Sequence, residues 1–222
     1  MKLGILFSGG KDSTYAMYLA KNSGHEIACL ISIFSENQDS FMFHTPTINL
    51  TKEQAKLIDL PILIHATKGE KEKELIDLKG AIKLAIKKYK IQGIVTGALE
   101  SVYQASRIQK ICDELKIKCI NPLWKKNQIQ LLKELVENNF EVIVVGVGAY
   151  PLDKTWIGRK LDNKFIFEVE NLQKKYKINP AGEGGEFESL VLNCPLFKKK
   201  LNVKLKNVVG EKNSWRGEFE LL

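Results

Sequence analysis

A short apolar run, Leu3-Gly4-Ile5-Leu6-Phe7, breaks directly into Ser8-Gly9-Gly10-Lys11-Asp12-Ser13, and Tyr15, Ala16 and Leu19 then recur at helical spacing. The succession is a buried strand, a tight glycine turn, and a helix opened by Asp12 and Ser13. Such a corner binds anions. Successive backbone N–H groups form a nest, the helix N-terminus adds about half a positive charge, and Lys11 adds a whole one. A solvent-exposed glycine turn with a chance lysine would not carry a strand before it and a helix after it.

The alternation continues for about half the chain. Glu26 to Phe34 reads as a second strand, Ser35 to Asn49 as a broken polar loop, and Thr51 with Gln54 as a capping box for a short helix ending near Leu60. Pro61 introduces a strand over Ile62 to His65. Leu75, Leu78, Ile82, Ala85, Ile86 and Tyr89 then mark one face of an amphipathic helix. Gly93 to Thr96 is a fourth strand, Ser101 to Leu115 a helix and Lys118 to Ile120 a fifth strand. Strands separated by helices need right-handed crossovers, so the spacing predicts a doubly wound, parallel five-stranded α/β sheet over residues 1–125. Ligands of such sheets bind beyond the carboxyl ends of the strands, which is where the loops after strands one, two and four would converge.

Beyond Trp124 the pattern changes. Asn127 caps a helix through Leu131, Leu132, Leu135 and Val136, a strand runs from Val142 to Val147, and Asp153 to Asp162 is a polar loop holding Trp156. From Ile178 onward helical periodicity disappears, and Leu190 to Leu192, Leu201 to Val209 and Trp215 to Leu221 read as strands. Residues 126–222 are expected to form a smaller α+β C-terminal domain. Within it, Asn179 to Glu188 is a glycine-rich loop in which Glu183, Glu186 and Glu188 stand among three glycines. Two readings stay open: a flexible hairpin with solvated glutamates, or carboxylates gathered to hold a cation or a substrate ammonium.

The chain has 222 residues, 44% of them apolar, and no run approaches the roughly 18 apolar residues of a membrane span. Met1-Lys2 opens no signal-peptide-like segment, so a cytoplasmic protein without a membrane partner is expected. The cysteines, Cys29, Cys112, Cys119 and Cys194, form no Cys-x-x-Cys pair and read as reduced thiols. Net charge is +8, but only Arg107, Arg159 and Arg216 are arginines. Base readers favour arginine, so the excess reads as a solvated lysine-rich surface and no DNA partner is expected.

Neither of the better-known glycine loops fits. A Walker loop needs Gly at position 5 and Ser or Thr at position 12, where the chain has Ile5 and Asp12; a dinucleotide fingerprint starting at Gly146 meets Pro151 in place of its third glycine. Ser8 to Ser13 instead resembles the pyrophosphate loop of the PP-loop ATP pyrophosphatases, whose sheet is of the HUP-like type. The resemblance narrows with Met42-Phe43-His44-Thr45-Pro46, Thr96-Gly97-Ala98 followed by Tyr103-Gln104 and Arg107, Pro122-Leu123-Trp124, Leu152-Asp153-Lys154-Thr155-Trp156-Ile157-Gly158 and Gly182-Glu183-Gly184-Gly185-Glu186-Phe187-Glu188. Together these resemble the diphthine–ammonia ligases; Thr47 and Val102 depart from that family's pattern. Singly, the same residues have plainer readings: Gln104 closing a capping box with Ser101, His44 an ordinary loop residue, and Trp124 and Trp156 packing.

The resemblance implies an AMP-forming C–N ligase that activates the diphthine carboxylate of translation elongation factor 2 with ATP and displaces AMP with ammonium nitrogen. It implies ATP held by Ser8, Gly9, Gly10, Lys11, Asp12, Ser13 and Gly97, with Lys11 stabilising the departing pyrophosphate and Asp12 helping to hold Mg²⁺. Glu183, Glu186 and Glu188 would bind ammonium and accept its proton, and His44, Tyr103, Gln104, Arg107 and Trp156 would contact the protein substrate. Free ammonium is the expected nitrogen source, since position 2 is Lys2 and no glutaminase domain with a cysteine nucleophile is present. Diphthine also carries a quaternary ammonium, for which Tyr103, Trp156, Phe187 and the glutamates are the available groups. Two alternatives remain at this level: a tRNA-modifying PP-loop enzyme, and a non-catalytic adenine-nucleotide sensor.

Overall fold

The computed structural model describes residues 1–35, 48–67 and 73–222. It forms two compact units, one of Met1–Ser8 with Asp12–Trp124 and one of Gly9–Lys11 with Lys125–Leu222.

The first unit holds β1 (Lys2–Leu6), β2 (Glu26–Ser35), β3 (Ile62–Thr67), β4 (Gly93–Val95) and β5 (Lys118–Ile120) in one sheet, all parallel, in the order β3-β2-β1-β4-β5. Helices α1 (Lys11–Asn22), α2 (Ile48–Ile58), α3 (Lys73–Tyr89) and α4 (Val102–Glu114) separate the strands. The central strand is covered on both sides, with Leu3 and Ile5 fully buried, which is why it reads as an unbroken apolar run. Leu78, Ile82 and Ala85 of α3 and Ile108 and Ile111 of α4 share one cluster with Ile31 and Ile33 of β2 and Ile94 of β4, so the apolar stripe of α3 is the face turned to the sheet. Strand order reverses between β1 and β4. That reversal opens the crevice in which α/β sheets take ligands.

The expected capping box at Thr51 and Gln54 is not the start of its helix. α2 begins at Ile48, and Thr51 and Gln54, one turn apart, both lie buried inside it. The cap at Ser101 does hold, its side chain accepting the Gln104 N–H at 3.3 Å.

The second unit contains α5 (Gln128–Glu137), β6 (Glu141–Val147), a 3₁₀ turn (Lys154–Trp156), α6 (Asn163–Tyr176), β7 (Phe187–Asn193), β8 (Val203–Glu211) and β9 (Ser214–Leu221). Its strands form an antiparallel sheet in the order β7-β6-β9-β8. α6 lies in a stretch to which the sequence reading assigned no element. Asp162 caps it by accepting the Phe165 N–H at 2.9 Å, and the helix stops at Lys177 in the left-handed conformation, φ 61°, where no glycine marks the end. β7 lies at one edge of the sheet, and Val191 on it donates its N–H to the Gly9 carbonyl at 3.0 Å. Among the described residues no helix is long and apolar enough to cross a membrane.

Candidate active site

In the first unit the entry to the phosphate loop is fixed from both sides. The Phe7 carbonyl accepts the Ser32 hydroxyl at 2.5 Å, the Ser8 N–H points at the Ser13 hydroxyl at 3.3 Å, and the two serine hydroxyls lie 3.1 Å apart. The first bond ties the end of β1 to β2, and the two serine contacts tie the loop to the first turn of α1. The loop after β4 approaches the same helix end so closely that a Cβ on Gly97 would stand 2.8 Å from both the Asp12 carbonyl carbon and the Ser13 nitrogen. Only glycine fits there. Thr96 holds this loop by donating to Asn121 Oδ1 at 2.6 Å and accepting the Ala98 N–H at 3.1 Å. Gly97, Ser8 and Ser13 therefore meet at the N-terminus of α1, where partial positive charge concentrates.

In the second unit Gly9, at φ +80°, turns the loop through a conformation other residues avoid. The Lys11 N–H donates to Ser189 Oγ at 3.2 Å, and Lys11 Nζ stands over the Phe187 ring, 5.3 Å from its centroid. Phe187 and Ser189 are two apart on β7 and so share a face of the strand. Lys11 is only 3% exposed, a cation buried at the N-terminus of α1. Neither Ser189 nor the aromatic contact was foreseen, although the alternation along β7 is the signal that links them.

The acidic loop immediately precedes that strand. Gly182 and Gly185 take positive φ, +80° and +82°, and two turns close by Gly182 N–H to Asn179 O at 2.9 Å and Gly185 N–H to Gly182 O at 3.1 Å. The three glutamates differ. Glu186 is 6% exposed, and its carboxylate accepts the Asn179 N–H at 2.7 Å and the Asn179 side-chain amide at 2.8 Å on one oxygen and the Gly184 N–H at 2.7 Å on the other. Glu183 and Glu188 are half-buried. Glu188 pairs with Gly146 across the β6–β7 ladder, and a Cβ on Gly146 would come 3.3 Å from Glu188 Oε2. The loop is thus a built structure rather than a flexible hairpin.

Residues 1–119 match the diphthamide synthase N-terminal domain, and residues 127–221 match the diphthamide synthase C-terminal domain. The chain belongs to the diphthamide synthase family. Among its relatives, the diphthine–ammonia ligase of Bos taurus is 35% identical over 228 residues, spanning 94% of this chain and 85% of the relative. That of Homo sapiens is 34% identical over the same shares. The diphthine–ammonia ligase of Schizosaccharomyces pombe is 32% identical over 94% of this chain, which corresponds to 37% of that longer protein. Neither the tRNA-modifying alternative nor the nucleotide sensor is favoured by these matches.

The other residues expected to meet substrate are spread through both units. On α4 the Arg107 guanidinium stacks 3.5 Å from the Tyr103 ring centroid and reaches the Tyr103 carbonyl, so the two form one rigid pair; Gln104 lies beside them, its N–H taken by Ser101. Trp156 is 8% exposed. Asp153 accepts from the Thr155 N–H and hydroxyl to set its turn, the Arg159 guanidinium covers one face at 4.1 Å, and its edge-to-face contact with Phe165 continues to Phe187, at 5.4 and 5.5 Å. Trp156 thus reaches the strand of the acidic loop through an aromatic ladder. Tyr103, Trp156 and Phe187 each already carry a cation of this chain against the ring. His44 lies outside the described residues.

Proposed function

We propose that the chain carries out ATP-dependent amidation in diphthamide biosynthesis by activating the diphthine carboxylate of elongation factor 2 as an acyl-adenylate, which ammonia attacks to release AMP. The observation that carries this course is the junction of the two loops. Gly9 and Lys11 bond to Val191 and Ser189 of β7, the strand whose first residues, Phe187 and Glu188, close the acidic loop. Lys11, which would neutralise the departing pyrophosphate, is thereby tied to the strand that the acidic loop leads into.

Backbone N–H groups of the loop, the α1 N-terminus and Lys11 would stabilise charge on the pyrophosphate as the bond between the α and β phosphates breaks. Ser8 and Ser13 would hold the phosphates by hydrogen bonds, and Gly97 would leave the backbone open to them. The carboxylates would bind NH₄⁺ and take a proton from it, because only neutral ammonia has the electron pair that attacks the acyl carbon. They are also suited to the quaternary ammonium of diphthine, since each of the three aromatic rings already has a cation of this chain against it. Among the described residues no cluster of three or more His, Cys, Asp or Glu could hold a metal. Asp12 would offer a protein carboxylate to a Mg²⁺ carried mainly by the ATP phosphates, the usual manner for that ion.

The test supplies ATP, ammonium chloride and diphthine-bearing elongation factor 2. AMP, pyrophosphate and the mass change of one amide on the factor are the expected products. Formation of ADP and phosphate in a substrate-dependent way would remove the adenylate from the reaction.

A further inference from the structure

The acidic loop depends on a residue far from it in sequence. Gln128, the first residue of α5, is 8% exposed; its side-chain amide donates to Asn179 Oδ1 at 3.3 Å, and its carbonyl accepts the Ala181 N–H at 3.0 Å. Asn179 in turn donates both its backbone and its side-chain N–H to Glu186 Oε1, and Glu186 Oε2 accepts the Gly184 N–H. Gln128, Asn179 and Glu186 are thus one chain of bonds that starts on a regular helix and ends inside the loop. The glycine at its centre is dictated by the chain: a Cβ on Gly184 would stand 2.7 Å from Asn179 Nδ2 and 2.8 Å from Glu186 Oε1. The loop is also tied to β6, where the Gly148 N–H donates to the Glu186 carbonyl at 2.9 Å.

This arrangement divides the three glutamates. Both oxygens of Glu186 serve N–H groups of its own loop, and the residue is buried. Three of the about four acceptor positions of this carboxylate are taken by N–H donors of its own loop, and protonating it would weaken bonds that are costly to lose in a buried place, which makes it a poor proton acceptor. Glu183 and Glu188, three residues before it and two after it, are half-buried. We infer that Glu186, Asn179 and Gln128 are positioning residues that fix the loop, and that Glu183 and Glu188 are the carboxylates that meet ammonium or the acyl substrate. The inference rests on the reading of the acidic loop proposed above.

The experiment uses the full chain with ATP, diphthine-bearing elongation factor 2 and ammonium chloride. It compares Gln128→Met, Gln128→Glu, Glu186→Gln, Glu183→Gln and Glu188→Gln, with thermal melting to follow folding. Amide formation is measured against ammonium concentration, and substrate-dependent ATP–pyrophosphate exchange is measured without ammonium. Gln128→Met removes both bonds of the helix residue and is expected to raise the KM for ammonium about ten-fold, the equivalent of one well-made buried hydrogen bond, with exchange changed by less than about two-fold. A loss of folded protein would lower both readouts together, so the split separates positioning from mere stability. Gln128→Glu keeps the acceptor for Ala181, loses the donor to Asn179 and sets a carboxylate oxygen against Asn179 Oδ1; it should give a rise at least as large and carries the test if Gln128→Met does not fold.

Glu186→Gln should raise the ammonium KM while keeping the wild-type shape of the pH profile of kcat, and Glu183→Gln or Glu188→Gln should change that shape. Wild-type KM values in both Gln128 variants, with Glu183→Gln or Glu188→Gln impaired, would overturn the inference and leave the proposed function standing. So would a Glu186→Gln enzyme that has lost the ionisation of a proton acceptor from its profile. If all five variants amidate as wild type does, the acidic loop has no part in the reaction, and the role proposed for its carboxylates falls with the inference while the amidation itself stands.

Discussion

The two glycine-rich loops of this chain use the same backbone chemistry in opposite ways. In Asn179 to Glu188 the loop supplies its own anion: Glu186 folds back and takes the N–H groups of Asn179 and Gly184. In Ser8 to Ser13 the loop is set at a helix N-terminus with a buried lysine, and on the reading proposed here its anion arrives with the substrate. The difference teaches that glycine content and exposed N–H groups do not by themselves make an anion site. What decides is whether a neighbouring carboxylate already answers them, and the sequence pattern Gly-Glu-Gly-Gly-Glu places such a carboxylate within reach.

The largest expected effect tests the first loop alone. Lys11→Ala removes the buried positive charge, and AMP formation should fall on the order of 10²-fold or more if the lysine faces charge that develops in the transition state. Quantifying AMP by chromatography at saturating ATP checks it. A loss confined to KM for ATP, with kcat intact, would mean that Lys11 binds ground and transition states equally.

A matched pair of glycine substitutions separates the loops more finely. In Gly97→Ala the new methyl meets main-chain atoms of Asp12 and Ser13 at 2.8 Å, which cannot step aside, so overpacking of about 1–3 kcal/mol should appear as weakened ATP binding in calorimetry. In Gly184→Ala the methyl meets the Asn179 and Glu186 side chains, which are held by hydrogen bonds, and a smaller cost should appear in amide formation with ATP binding kept. Equal loss of ATP affinity in both variants would mean that the loops serve one function, and the contrast drawn between them would be wrong.

The first unit was legible in the sequence because parallel strands buried on both faces read as apolar runs and Ser101 announces its helix by capping, as Asn127 does for α5 in the second unit. Even β4 and β5, three residues each, were found between clear helices. α6 was passed over, since its start at Asp162 follows a polar stretch and its end at Lys177 takes a left-handed conformation without glycine. The start of α2 was misplaced because a Thr–Gln pair three apart signals a cap only when exposed, and here both side chains are buried. The strand, turn and helix around Ser8 to Ser13 were readable because the pattern is local. The division of labour among Glu183, Glu186 and Glu188 was not, because it depends on Gln128, 51 residues before Asn179, and nothing in the local pattern points across that gap.

The smallest expected effect lies where the two loops touch. Ser189 accepts the Lys11 N–H through its hydroxyl at 3.2 Å, a long bond in a half-buried place, and Ser189→Ala leaves the rest of β7 unchanged. Loss of one such bond costs about 0.5–1.5 kcal/mol, so ATP affinity should fall only a few-fold. The informative quantity is how that loss divides. Lys11 and Val191 also tie the loop to β7 through Phe187 and Gly9, so its backbone should stay in place and kcat should hold. A fall in kcat with unchanged ATP affinity would mean that Ser189 aligns Lys11 only when charge develops on the pyrophosphate. The strand carrying the acidic loop would then act on the first half-reaction as well as the second. Measuring both constants for Ser189→Ala, with AMP release as the readout, distinguishes the two outcomes, and the second would join the loops more closely than their opposite use of N–H groups suggests.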